Sequence, residues 1–151
     1  MKGQVVLFSN TSDDWGTPID FFNALDKRFK FTLDPCATEV TAKCKKYYTK
    51  EQDGLVQSWE GERVFVNPPY SSIAAWLHKA HQEFYTGKVE TIVFLIPSRT
   101  DTKWFHHYVY EQPDVRYEFI KGRLKFTGSD KGKSANSAPF PSMLVIFKKE
   151  D

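Results

Sequence analysis

Three short, uninterrupted apolar runs constrain this chain more than any other feature: Val64-Phe65-Val66, Thr91 to Ile96, and Met143 to Phe147. Runs without polar alternation suit strands covered on both faces, as in a sheet layered between helices. The segments between them carry stripes of helical period. Ile19, Phe22, Ala24-Leu25 and Phe29 predict a helix from Ile19 to about Phe29, with Thr17 capping its free N–H groups and Pro18 in the first helical position. Ile73, Trp76-Leu77, Ala80 and Phe84 predict a second, capped by Ser71 or Ser72 and stopped at Gly87. A third starts at Thr100 or Asp101 and carries Trp104-Phe105, Tyr108 and Val109. Phe31-Thr32-Leu33 reads as a short strand ended by Asp34-Pro35, and the stretch from Ala37 through Trp59 as loop with short helix. Tyr117 to Ile120 and Arg123 to Phe126 read as a hairpin or a bent strand pair around Gly122, and Gly128 to Pro141 as a mobile loop. Residues 1–12 form a candidate N-terminal arm, in which Val5 to Phe8 is a short apolar run. Strands alternating with helices predict an α/β domain around a mainly parallel sheet.

A length of 151 residues fits one domain, and 40% apolar residues can fill a core, which excludes disorder as the main state. No apolar run approaches the roughly 20 residues needed to cross a bilayer, and Met1 to Ser9 lacks a signal peptide's hydrophobic stretch, so no membrane partner and a cytoplasmic location are expected. Cys36 and Cys44 lack metal-site spacing and are expected to be free thiols. His78 and His81 share a helix face and His106 is next to His107, but no acid or thiol joins them at ligand spacing, so no metal is expected. The net charge of +2 says little about partners, because 21 basic residues are nearly matched by 19 acidic ones. Its distribution says more. Lys43, Lys45 and Lys46, then Arg99 and Lys103, then Lys121, Arg123, Lys125, Lys131 and Lys133 form basic clusters that read either as solvated charge or as a surface for a polyanion.

Ligands of open α/β sheets lie beyond the carboxyl ends of the strands. Three such ends are chemically unusual here: Asp34-Pro35-Cys36-Ala37, Asn67-Pro68-Pro69-Tyr70, and Pro97-Ser98-Arg99-Thr100-Asp101. In the second, consecutive prolines remove two N–H donors and fix φ, so the turn offers acceptors in a stiff geometry. The Asn67 side-chain oxygen and the Pro68 carbonyl can both accept from one NH₂ group while the Tyr70 ring covers the plane that carries it. Such a pocket fits an amide or an adenine-type amine. An amine conjugated to a ring is a poor nucleophile, and two acceptors aimed at its hydrogens favour the pyramidal form needed to attack a methyl sulfonium.

The wider pattern narrows the choice. Trp15-x-Thr17-Pro18 with Phe21-Phe22, Phe31-Thr32-Leu33-Asp34-x-Cys36-Ala37, Ala42-Lys43-Cys44, Asp53-Gly54-Leu55 with Trp59, Asn67-Pro68-Pro69-Tyr70, Gly122-Arg123-Leu124-Lys125-Phe126 and Ala138-Pro139-Phe140-Pro141-Ser142 occur in order. Over about residues 13 to 147 the chain resembles the phage-type DNA N6-adenine methyltransferase family, which uses S-adenosylmethionine. The resemblance implies a small, pared-down Rossmann-like methyltransferase domain spanning residues 1–151 that acts on a flipped adenine of double-stranded DNA in the cytoplasm of a bacterial host. It implies a catalytic set of Asn67, Pro68, Pro69 and Tyr70. It further implies cofactor contacts from Trp15, Thr17, Pro18, Asp34, Pro35, Cys36 and Asp53, with Glu39 and Glu51 as rivals of Asp53. Arg99, Lys103, Arg123, Lys131, Lys133 and Phe140 are the candidate contacts to DNA and its base.

The chain departs from the wider methyltransferase pattern at one place: Pro-Cys-Ala-Thr follows Asp34 where a glycine-rich cofactor loop is usual. Two other readings stay open on the residues. A protein glutamine-N5 methyltransferase presents the same four-residue motif to an amide nitrogen, and a nucleic-acid-binding module without cofactor binding accounts for the missing glycines.

Overall fold

The computed structural model describes residues 16–126 and 136–149. The described part is a six-stranded sheet with a helix on each face and a small two-stranded sheet beside it. In chain order the elements are α1 (Ile19–Phe29), β1 (Leu33–Asp34), β2 (Lys46–Tyr47), β3 (Arg63–Val66), a 3₁₀ turn (Tyr70–Ser72), α2 (Ile73–Tyr85), β4 (Thr91–Pro97), a π-type turn (Phe105–Val109), β5 (Val115–Phe119), β6 (Lys125–Phe126), β7 (Asn136–Ser137) and β8 (Ser142–Lys148). The strand order is β2-β1-β3-β4-β8-β5. The first four strands run parallel, and β8 is antiparallel to both β4 and β5. The sheet is therefore mixed rather than wholly parallel.

The apolar runs alternate between two cores, which is why they carry no polar residues. Phe65, Val93, Leu95, Leu144 and Ile146 face Phe22, Leu25 and Phe29 of α1. Val64, Val66, Ile92, Phe94, Ile96, Met143, Val145 and Phe147 face the other way, toward Ile73, Trp76, Leu77, Ala80 and Phe84 of α2. Each such side chain contributes roughly 1.5–3 kcal/mol through burial, so both helices are held chiefly by packing rather than by propensity. Pairing of β4 with β8 from Thr91↔Lys148 to Pro97↔Ser142 ties the centre together. Because β1, β3 and β4 are parallel, Asp34, Val66 and Pro97 finish at one end of the sheet.

Several expectations change in the structure. Thr17 does not cap α1: Pro18 holds the N-cap position with no side-chain cap, because the Thr17 hydroxyl is engaged elsewhere. Ser72 holds the N-cap position of α2, also without a side-chain cap. Its N–H instead bonds the Pro69 carbonyl at 3.0 Å. The third helical segment is a short π-type turn, whose Phe105 N–H is met by the Thr102 hydroxyl at 3.2 Å, rather than by Thr100 or Asp101. The first strand is Leu33–Asp34, and β2 lies within the stretch read as loop, a two-residue edge strand whose Lys46 is ion-paired with Glu62. Tyr117 and its neighbours do not form a hairpin with Arg123 to Phe126. β5 pairs with β8, while β6 pairs with β7, because Gly122 at φ 78° turns the chain away from the main sheet. Residues Asn136–Ser137 are thus strand within the expected loop, and Ala138 is buried. Residues 1–15 and 127–135, and with them the arm and most of that loop, lie outside the described residues. Among the described residues no helix is long and apolar enough to cross a membrane.

Candidate active site

At the carboxyl end of β3 the chain turns through Asn67, Pro68 and Pro69 into the 3₁₀ turn. Pro69 is extended (φ −60°, ψ 137°), and its carbonyl is used by the N–H of Ser72. No described donor reaches the Pro68 carbonyl, and neither proline has an N–H to offer. The Asn67 amide is oriented from outside the corner. Its Nδ2 donates to Thr17 Oγ1 at 3.0 Å, and Thr17 is only 3% exposed. With the NH₂ half of the amide committed to Thr17, the acceptor oxygen is fixed on the opposite side of the group. Residues fifty positions apart thus build one corner, in which the two prolines offer no N–H.

The Tyr70 ring meets Phe140 edge-on, with centroids 5.0 Å apart and planes at 83°, and Phe126 backs Phe140 at 6.2 Å. Burial raises the Tyr70 phenol well above its ordinary value, and the nearby Arg99 guanidinium offsets only part of this. The phenol stays neutral at any ordinary pH.

Beside the corner opens a cleft of about 740 Å³, within the range of small-molecule sites. Thr17, Asp34, Pro35, Cys36, Asp53, Asn67 and Pro69 all line it, so the structure brings together most of the residues expected to serve catalysis and the cofactor, and none of those expected to contact DNA. Asp34 is 3% exposed. Its Oδ2 accepts the Lys43 N–H at 3.0 Å, whereas Oδ1 has no hydrogen-bond partner of good geometry among the described residues. Burial pushes its carboxyl up to about 7, against the pull of the Lys43 and Cys36 N–H groups and the Lys43 ammonium. Among the described residues this buried oxygen in the cleft wall has the Cys36 N–H near it but no well-aligned donor, so it keeps acceptor capacity.

The opposite wall is fixed by a contact that composition does not reveal. A Cβ on Gly54 would lie 2.0 Å from the Pro35 carbonyl oxygen, so only glycine lets this segment abut the loop after β1. The Gly54 carbonyl accepts from Trp59 Nε1 at 3.0 Å, and Trp59 stacks on Trp76. Asp53 at φ 57° accepts the Leu55 N–H at 3.1 Å, which shapes the same turn. Glu39 and Glu51 line the cleft together with Asp53, so all three acids are at hand. Asp53-Gly54-Leu55 with Trp59 is therefore one packed unit, and its sequence signal was the motif's order rather than any local pattern.

The remaining candidates lie elsewhere. Pro18 starts α1, Pro68 is buried behind the corner, and Arg99 and Lys103 are exposed beyond β4. Arg123 donates to the Ala138 carbonyl at 3.2 Å and so ties the ends of the small hairpin. Trp15, Lys131 and Lys133 lie outside the described residues. Cys44 is half-buried with its thiol pushed up to about 12, chiefly by burial, and no disulfide joins it to Cys36. His78 Nδ1 and His81 Nε2 contact the hydroxyl and carbonyl of Tyr108. Among the described residues no group of three or more His, Cys, Asp or Glu side chains is placed to hold a metal ion.

The sequence model of the DNA N-6-adenine-methyltransferase (Dam) family matches residues 5–151. A DNA N-6-adenine-methyltransferase of Haemophilus phage HP1 is 32% identical over 138 residues, covering 90% of this chain and 79% of the relative. One of Escherichia phage T1 is 26% identical over 151 residues, covering 90% of this chain and 63% of the relative.

Proposed function

The chain belongs to the DNA N-6-adenine-methyltransferase (Dam) family, and from that premise we propose that it methylates the exocyclic amine of an adenine turned out of double-stranded DNA, with S-adenosylmethionine as donor. The observation that supports this reading is the corner itself, where Thr17 orients the Asn67 amide and two prolines offer no N–H. Asn67, held by Thr17, lines a cleft whose wall also carries a buried Asp34 oxygen without a well-aligned donor among the described residues, and no described donor reaches the carbonyl of the adjacent, buried Pro68.

The cleft fits the proposed donor by its chemistry. Asp34 Oδ1 is placed to accept from an amine or hydroxyl, and Glu39, Glu51 and Asp53 offer carboxylates suited to a ribose. When bound, S-adenosylmethionine supplies the methyl as an electrophilic carbon on a sulfonium. The chain's own groups do the rest. Asn67 Oδ1 and Pro68 O would accept from the two N–H groups of the target amine and favour a tetrahedral nitrogen, whose lone pair forms the new N–C bond as the methyl's C–S bond breaks to leave a neutral thioether. The proton that the nitrogen then sheds passes to solvent. Because these acceptors are held rigidly, they need no reorganisation as charge develops on that nitrogen. Tyr70 replaces stacking that the base loses on leaving the duplex, with Phe140 at its side. A phenol that stays neutral covers the base and does not take its proton. Arg99 and Lys103 serve phosphate contacts beside this site, and the host cytoplasm is the place of action.

Incubation with unmethylated duplex and methyl-labelled donor tests the reading. Label in the N6-methyladenine fraction after nucleoside digestion is the expected result. Label in protein glutamine instead would replace DNA by a protein substrate. Failure of calorimetry to detect donor binding would leave a nucleic-acid-binding module.

A further inference from the structure

A second cleft, of about 440 Å³, opens at the other end of the sheet, where β3 and β4 begin and β8 ends. Arg28, Lys30, Arg63, Lys148 and Lys149 line it beside one carboxylate, Glu90. These cations come from three distant stretches of sequence, mounted on ends of hydrogen-bonded elements. Lys30 caps α1 in a left-handed conformation, with its N–H on the Asp26 carbonyl at 2.8 Å, and the Lys148 N–H is held by the Asp114 carbonyl at 3.1 Å. Among the described residues only Arg28 of the five is ion-paired, in a two-bond contact with Glu118 at 3.0 and 2.9 Å. Compensation of the negative C-terminal end of α1 accounts for Arg28 and Lys30. It does not account for Arg63, Lys148 and Lys149, which belong to β3 and β8 and the residue after it. Like charges gathered around one concavity repel one another, and an anion seated there relieves the repulsion.

We propose that this cleft is a second phosphate-binding site, and that its ligand is the sugar-phosphate backbone of a DNA segment other than the one presented to Asn67. The choice of DNA rests on the functional reading above. That the segment is a separate one is argued from the opposite placement of the two clefts. The seven residues of β4 run from this cleft at Thr91 to the catalytic end at Pro97, and at about 3.3 Å per residue they hold the two sites roughly 20 Å apart. The proposal takes the duplex presented to Asn67 to lie across that end of the sheet rather than along β4. A second hold of this kind raises the effective concentration of a small domain on long DNA and costs the active site nothing.

The test pairs Lys148→Gln with Lys149→Gln, both exposed and remote from Asn67. Binding is measured without cofactor, against salt, on a duplex of kilobase length and on one of about 12 base pairs. On the long duplex the logarithmic salt slope should fall by about 2 and affinity on the order of 10-fold near 0.1 M salt. On the short duplex, binding, methylation and the protein's melting temperature should not change. Glu90→Gln should strengthen binding to the long duplex. An unaltered slope on long DNA overturns the proposal, and so does an equal loss on both duplexes. Polyglutamate that displaces long DNA from the parent but not from the variant would reassign the cleft to an acidic protein. A parent that never methylates the short duplex, yet shows the predicted slope change, would sink the functional reading and leave this site standing.

Discussion

Replacing Thr17 by Val removes one hydroxyl, keeps the buried volume, and asks whether Thr17 acts through Asn67. The bond from Asn67 Nδ2 to Thr17 Oγ1 measures 3.0 Å and involves a side chain almost shielded from water. A net hydrogen bond of this kind is worth about 0.5–1.5 kcal/mol. If its loss lets the amide populate the flipped orientation, kcat falls roughly 2- to 12-fold at 1.4 kcal/mol per factor of ten. The melting temperature falls by about 2–4 °C, the response of a domain of this size to roughly 1 kcal/mol. Thr17→Ser keeps the acceptor and should restore most of kcat. Asn67→Ala, which removes the acceptor aimed at the amine, should cost about 100-fold or more. The deciding step is the double variant, assayed by methyl transfer to duplex DNA at saturating donor. In the Asn67→Ala background Thr17→Val should cost almost nothing further, because the group that it orients is gone. The same loss in both backgrounds would refute the positioning role and leave Thr17 as a cofactor contact alone.

Gly54→Ala places a methyl 2.0 Å from the Pro35 oxygen, and overpacking of this sort costs about 1–3 kcal/mol; calorimetry should find weaker donor binding together with a lower melting temperature, and an unchanged pair of values would deny that contact a role. Asp34 is protonated more readily in the native state than in the unfolded chain, since its carboxyl is pushed up to about 7. The native state therefore binds the extra proton between about pH 4 and 7, so the stability contributed by Asp34 is complete below this window and is lost as pH rises through it. Asp34→Asn should flatten that part of the urea-unfolding profile. Donor affinity in the parent should rise with pH through 7, as the carboxylate forms to meet a cationic amine, and this rise should vanish in the variant. Phe140→Ala removes the ring beside Tyr70, so KM for DNA should rise while donor affinity stays constant; a change confined to donor binding would move Phe140 out of the base site.

The parts of this fold that could be read in sequence are those whose signal is local. The stripe from Ile19 to Phe29 became a helix over those residues, because Phe22, Leu25 and Phe29 share one face. The apolar runs became β3, β4 and β8, because both faces of the sheet are covered. What escaped depends on partners far away in the chain. Nothing local shows that Tyr117 pairs with Val145 rather than with Arg123 and its neighbours, and Lys46-Tyr47 is too short and too polar to announce a strand. Thr17 has the form of a helix cap, and only the fold shows that its hydroxyl serves Asn67. That the corner lacks proline N–H groups was legible in Asn67-Pro68-Pro69-Tyr70 alone. The burial of Asp34 and the approach of Gly54 to Pro35 needed the packed structure. The second basic cleft draws on residues 28 to 149, and no window of sequence contains it.

A crystal structure with S-adenosylhomocysteine and an adenine-bearing duplex would show whether the corner holds the amine. The target base should stand out of the stack, with its amine nitrogen within about 3 Å of both Asn67 Oδ1 and the Pro68 carbonyl and its ring against Tyr70. An adenine whose amine lies away from both oxygens, or a product seated outside the cleft that Asp34 lines, would contradict this reading.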